Sequence, residues 1–130
     1  MSTRAGIGIK QADGSVKAIY LHFDGYPGHT GAILGGWYKT REQAEALLAL
    51  GDLRGIDETL EKTEAYHRDC GEELHPANSY ASVEEYQMKG KSDFGADYLY
   101  LLDGDRWLIY GLFNDPDWNE LNVIVGKEEK

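Results

Sequence analysis

Alternation of apolar and polar positions is strongest toward the two ends of the chain. From Ala5 to Phe23, Ile7 and Ile9 alternate with small or polar residues, Asp13-Gly14 supplies a turn, and Val16 to Phe23 resumes a β-rich run, which predicts a hairpin. In its second arm Ile19, Leu21 and Phe23 project to one face and Ala18, Tyr20 and His22 to the other, so a central strand, buried at least in part on both faces, is expected. A second hairpin is predicted from Tyr98 to Leu102 and Arg106 to Phe113, turning at Asp103-Gly-Asp105. Asn114-Asp-Pro-Asp117 must break that strand, and Leu121 to Val125 reads equally as a short strand or a helix end.

Between the hairpins the apolar spacing changes to that of helices. After Tyr26-Pro27, Ile33 with Trp37 and Leu34 with Tyr38 are four apart and would share a face, with Pro27 suited to a first turn. Glycines at 28, 31, 35 and 36 each cost about 1 kcal/mol of helix propensity relative to alanine, so this helix must be irregular or held by packing, and its small residues would suit close approach of another backbone. Thr40-Arg-Glu-Gln43 is a capping-box pattern followed by Ala44, Leu47 and Leu48, with Gly51 as the stop. Ser82-Val-Glu-Glu85 is a second one, with Val83 and Tyr86 facing the core and an end near Gly90. Residues 52–81 give little signal: Leu60, Ala65 and Tyr66 are the only core anchors for a helix over Glu58 to Tyr66, and a loop with an edge strand remains open. Together these elements predict one α+β domain over residues 1–130, an antiparallel sheet built from the N- and C-terminal hairpins with helices packed on one face.

Composition narrows the function classes. A chain of 130 residues with 42% hydrophobic residues can bury one sizeable core. No run of about eighteen apolar residues is present to span a bilayer, and the N-terminus lacks the apolar middle of a secretory signal, so a cytoplasmic protein is expected. The formal charge of −10 and the lack of a Lys/Arg cluster disfavour direct nucleic-acid binding. The same charge suits a basic protein partner as well as plain solubility. Cys70 is the only cysteine; it forms no intrachain disulfide and is expected to be buried or idle.

Chemically capable residues gather in His22-Phe-Asp-Gly-Tyr-Pro-Gly-His-Thr-Gly31, where strand gives way to glycine-rich turn. If the strand runs on, Tyr20, His22 and Asp24 lie on one face, with alternate Cα atoms about 7 Å apart, and His29 follows nearby. His22, Asp24 and His29 are a possible ligand set for a divalent metal, or an acid and base for hydrolysis. The bland alternatives are an aspartate that fixes the turn and histidines that satisfy local carbonyls. Gly25-x-x-Gly28-x-x-Gly31 is neither a dinucleotide fingerprint nor a P-loop, although a helix N-terminus here could offer amides to a nucleotide or another small anion. His22, Asp24, Gly25, Tyr26 and His29 are therefore the first candidates for a ligand or partner site. Arg68 could meet an anionic ligand or partner, or simply pair with Asp69 or Glu72. Cys70 with His67 lacks the further ligands of a zinc site and any group to orient the histidine. Trp118, in Asp-Pro-Asp-Trp-Asn, is the aromatic least readily assigned inward; exposed it could anchor a protein interface, and otherwise it is a lid over the sheet edge. No cofactor is expected.

The opening Met-Ser-Thr-Arg with Ile-x-Ile, the His-Phe-Asp-Gly-Tyr-Pro-Gly-His-Thr-Gly segment, Leu-Leu-Ala-Leu-Gly-Asp-Leu, Ala-Tyr-His-Arg-Asp-Cys-Gly-Glu and Asp-Tyr-Leu-Tyr-Leu-Leu-Asp-Gly-Asp-Arg-Trp together resemble a group of small uncharacterised proteins of bacteriophages, prophages and other mobile elements. The resemblance covers most of the chain; His29, Arg68 and Asp69 match positions often seen in that group, while Cys70 stands where arginine is more usual. It implies a small accessory protein that binds a host protein and interferes with a host process such as antiviral defence. A nucleotide or small-anion module at residues 22–31 and a metal-assisted hydrolase are the alternative expectations.

Overall fold

The computed structural model describes residues 3–112 and 115–121. Its first two strands, β1 (Ala5–Lys10) and β2 (Val16–Leu21), form the expected hairpin, paired from Ala5 with Leu21 to Lys10 with Val16. The turn is held by Asp13, whose carboxylate accepts from both the amide and the hydroxyl of Ser15, while Gly14 takes a left-handed φ of 89°. The second hairpin, β6 (Tyr98–Asp103) with β7 (Arg106–Tyr110), turns at left-handed Gly104. Phe113, Asn114 and residues 122–130, with them the expected strand or helix end over Leu121 to Val125 beyond its first residue, lie outside the described residues.

Both hairpins belong to one sheet ordered β4-β3-β2-β1-β6-β7-β8, with β5 also paired to β2. The minor strands are β3 (Leu53–Gly55), β4 (Glu64–Ala65), β5 (Asn78–Tyr80) and β8 (Asn119–Glu120). The fold is α+β with antiparallel hairpins, as the alternation predicts. In two respects the predicted architecture is corrected: β1 pairs with β6 and β2 with β3 in parallel, and helices cover both faces. The reasons are linked, because parallel neighbours cannot be joined by a tight turn and need a crossover. One crossover leaves β2, runs through α1 (Ala32–Trp37) and α2 (Arg41–Leu48), and returns as β3. The other leaves β5, runs through α4 (Val83–Phe94) and returns as β6. The short α3 (Tyr66–Cys70) follows β4.

Strand alternation divides the interior into two cores. Ala5, Ile7, Ile9, Ile19, Leu21, Tyr100, Leu102 and Ile109 meet Leu34, Ala44 and Leu47 on the α1/α2 face. Val16, Ala18, Leu99 and Leu101 meet Tyr86 and Phe94 of α4 on the other. Here the close-approach glycines are Gly6 and Gly8 of β1: a Cβ at Gly6 would lie 2.9 Å from both Leu99 and Phe94, and one at Gly8 3.1 Å from Tyr86. Gly35 and Gly36, expected to admit a neighbouring backbone, face open space instead.

The caps follow the sequence closely. Thr40 and Gln43 make both bonds of the first capping box. At α4 Ser82 Oγ accepts the Glu85 amide, but the Glu85 carboxylate reaches one residue further back, to the Ala81 amide. This helix passes its predicted end at Gly90 and stops at Gly95 (φ 59°). Gly90 is no cap; it is buried, with space for a Cβ limited to 3.0 Å by Leu99 and Tyr86. In the poorly legible middle, the loop with edge strands is what forms, locked by buried Thr63, whose Oγ1 accepts the Asp57 amide at 3.0 Å. Among the described residues no helix is long and apolar enough to cross a membrane.

Candidate functional site

The decapeptide from His22 to Gly31 is tied into the fold through its backbone and through the side chains of His22, His29 and Thr30. Beyond Leu21 the chain continues alongside β3, with the His22 amide donating to Leu53 C=O and the Phe23 amide to Arg54 C=O, each at 3.0 Å. Asp24 then turns the backbone with φ of 57°, a left-handed conformation that aspartate tolerates better than most residues. Its carbonyl accepts the hydroxyl of fully buried Thr30 at 2.7 Å. Gly25 is buried; its amide donates to Thr3 C=O (2.7 Å) and its carbonyl accepts Tyr100 Oη (2.6 Å) from β6. A Cβ at Gly25 would lie 2.8 Å from both Ala5 Cβ and Thr3 O, so glycine is required for this approach.

Pro27–Gly31 forms a single π-helical turn leading into α1, closed by the Ala32 amide on Pro27 C=O. Pro27 occupies the first turn as predicted, where its missing amide is no loss. The amides of His29 and Thr30 both donate to Tyr26 C=O, so those donors of the anion-binding arrangement are already engaged. Tyr26 is exposed, its ring centroid 6.1 Å from that of His29.

The histidines are likewise engaged. His22 Nδ1 lies 2.6 Å from Tyr20 Oη, and His29 Nε2 bonds Ile56 C=O at 3.2 Å, fixing the proton on that nitrogen. Asp24 holds the turn through its backbone, and its residue is otherwise exposed. Among the described residues no group of three His, Cys, Asp or Glu side chains is placed to hold a metal ion. The structure thus joins His22, Asp24, Gly25, Tyr26 and His29 in one structural turn, not in a converging ligand set.

The remaining candidates stand elsewhere. Arg68, on α3 beside β4, clasps Asp69 with Nε on Oδ1 at 3.0 Å and Nη2 on Oδ2 at 2.9 Å, and also reaches Thr63 C=O. This pairing and the Ala65 amide hold the Asp69 carboxyl below the usual range. Trp118 lies toward the opposite sheet edge, half-buried over α4, stacked on Tyr86 with its Nε1 donating to Gln87 at 3.0 Å. It is the lid anticipated as the alternative to an interface anchor. The exposed tryptophan is Trp37, at 52% exposure, although its spacing put it on one helical face with buried Ile33. Cys70 is exposed too, which removes the buried half of the expectation of a buried or idle thiol.

An open groove lies on the α4 face, beside the decapeptide. β5 covers β2 as far as Ala18 and β3 takes over at Leu21, leaving the Tyr20 amide between them. Asp52 fills that position: its Oδ1 accepts the Tyr20 amide at 3.1 Å, standing in for a strand carbonyl. The groove, about 600 Å³, opens over Tyr20 and Asp52 and is bounded by Asn78, Asp93 and Phe94. A smaller lobe of about 240 Å³ shares Tyr20 and Asp52 and adds Tyr66, Glu72 and Glu73. The exposed segment 71–77 runs between, and its His75 lines both lobes, with Nδ1 3.8 Å from Asp52 Oδ2.

The groove's chemistry is acidic and aromatic. Its lining includes four carboxylates, Asp52, Glu72, Glu73 and Asp93, and no lysine or arginine; Arg4 and Arg54 stand close enough to act electrostatically on Tyr20 and Tyr66. Burial pushes both phenols above their ordinary range, so they remain neutral hydroxyls at physiological pH. Tyr20 is stacked on Phe94, with ring centroids 6.2 Å apart and planes at 28°. Sequence reasoning missed Asp52 and Asp93 because each is unremarkable in its own segment; Tyr66, Glu72, Glu73 and His75 belong to the stretch around His67, Arg68 and Cys70 that the sequence offered as a second candidate patch, and Tyr20 shares a strand face with His22.

The class these features define is a mixed-sheet α+β domain with an acidic, tyrosine-lined groove. No family model, no curated protein and no solved structure matches the chain.

Proposed function

We propose that this chain is a noncatalytic protein-binding domain, a phage or mobile-element accessory protein that engages a host protein in the cytoplasm and interferes with a host process such as antiviral defence. The observation that carries the binding function is the contrast between the decapeptide, whose histidines are bonded within a packed turn, and the open groove beside it, which Asp52, Asp93, Tyr20 and Tyr66 line. Charge points the same way: a chain at −10 is steered toward basic surfaces and away from phosphate backbones. The phage origin rests on the sequence resemblance alone.

The test is affinity capture from bacterial lysate, followed by titration of the recovered partner against purified protein. A saturable, stoichiometric complex with no turnover of either component is the expected result. Absence of any saturable protein partner overturns the reading, as does loss of partner binding on removal of a metal.

A further inference from the structure

Resting on the binding role just proposed, we infer that the groove receives an arginine side chain from a basic segment of the partner, and that His75 occupies part of that seat in the free protein. Asp52 is the centre of the seat. Its Oδ1 is fixed by the Tyr20 amide, which orients the carboxylate, while Oδ2 lies 3.8 Å from the imidazole Nδ1 of His75, beyond hydrogen-bonding distance. That imidazole is loosely held, its side chain 68% exposed. A guanidinium reaching Oδ2 would make a charge-assisted bond that His75 does not make.

The walls favour arginine over lysine. Tyr20, stacked on Phe94 and bonded through its hydroxyl to His22 Nδ1, presents a ring held from two sides. A planar guanidinium can lie against such a ring while donating edge-on to carboxylates, whereas an ammonium is a compact, strongly hydrated point charge. Asp93 stands across the groove with Oδ2 accepting from Tyr80 Oη at 2.9 Å, so its position is set as well. Asp52 and Asp93 therefore line the same open groove as the Tyr20 and Phe94 rings, with room for a side chain, and the net charge of −10 complements a basic segment. His22, one of the candidates in the sequence, becomes a positioning residue for Tyr20.

The experiment titrates a fluorescein-labelled peptide of alternating arginine and glycine into the intact protein at about 0.15 M salt, with lysine and citrulline counterparts as comparisons. Saturable binding is expected for the arginine peptide, weaker binding for lysine, and none for citrulline. Asp52→Asn keeps an acceptor for the Tyr20 amide but removes the charge, and it weakens binding about tenfold or more. His75→Ala vacates the seat and tightens binding about two- to fivefold. Glu61→Gln, a charge change outside the groove, leaves binding unchanged, with circular dichroism confirming each fold. Equal binding of citrulline, equal loss in Asp52→Asn and Glu61→Gln, or weakening by His75→Ala overturns the inference. A captured partner whose affinity is indifferent to Asp52→Asn sinks this inference and leaves the protein-binding role standing; a peptide that binds as described without any protein partner does the reverse.

Discussion

The decapeptide and the groove lie against one another and share the Tyr20–His22 hydrogen bond, yet they are opposite in character. In the decapeptide the reactive-looking groups are contiguous in sequence, and the turn they form is held by Thr30 bonding Asp24, Tyr100 bonding Gly25 and His29 bonding Ile56. In the groove the groups come from β2, the loop before β3, α3, the 71–77 segment and α4, and they line an open concavity. Proximity along a chain shows which residues can cooperate. Only the hydrogen-bond accounting shows which ones are left to do so.

The largest effect expected from this difference is at Gly25. Substitution with alanine drives a Cβ to 2.8 Å from Ala5 and from Thr3 O, where backbone must move, so urea denaturation should show a loss of about 3 kcal/mol or more. A loss below about 1 kcal/mol would mean that the turn is not the rigid element described. Next is Tyr100→Phe, which leaves the Gly25 carbonyl without that donor; a loss of about 1–2 kcal/mol is expected, and Thr30→Val should cost a similar amount. Additivity of the two would contradict their placement in one unit, because neighbours sharing a turn couple.

Ionisation sharpens the comparison on the groove side. Burial pushes Tyr80 up to about 12, with its hydrogen bond to Asp93 adding to the shift. A folded-state value above the unfolded one, ordinarily near 10, means that this contribution is complete below pH 10 and is lost as pH rises toward 12, since the unfolded chain ionises first. Absorbance titration of the phenolates should therefore show Tyr80 ionising late, and Asp93→Asn should bring it earlier. An unchanged titration in that variant would remove Asp93 from the place assigned to it. Smallest of all are Asp24→Asn and His29→Gln, in which asparagine tolerates the left-handed turn and glutamine can still donate to Ile56 C=O; each should change stability by no more than about 0.5 kcal/mol.

Much of the fold was legible because its signals are local. Asp13-Gly14 and Asp103-Gly104 mark their hairpins, and Thr40 and Ser82 mark their helix starts, through bonds made within a few residues. Gly90 misled because glycine as a helix stop and glycine as a packing surface look alike until Tyr86 and Leu99 are placed against it. The parallel pairing of β1 with β6 joins residues more than ninety apart in sequence, and no spacing rule announces it. Likewise the decapeptide was visible as a cluster, but its role was set by Thr3, Ile56 and Tyr100, all outside it. The groove was invisible for the same reason, since Asp52 gains its meaning from the gap it fills beside Tyr20.

The most direct measurement is the dissociation constant of the arginine–glycine peptide for wild type, Asp52→Asn, and the double variant Asp24→Asn/His29→Gln, taken side by side. Loss of about tenfold or more in Asp52→Asn, with the decapeptide double variant binding as wild type, is the predicted result. Unchanged affinity in Asp52→Asn together with lost affinity in the double variant would place the binding site in the decapeptide and contradict the account.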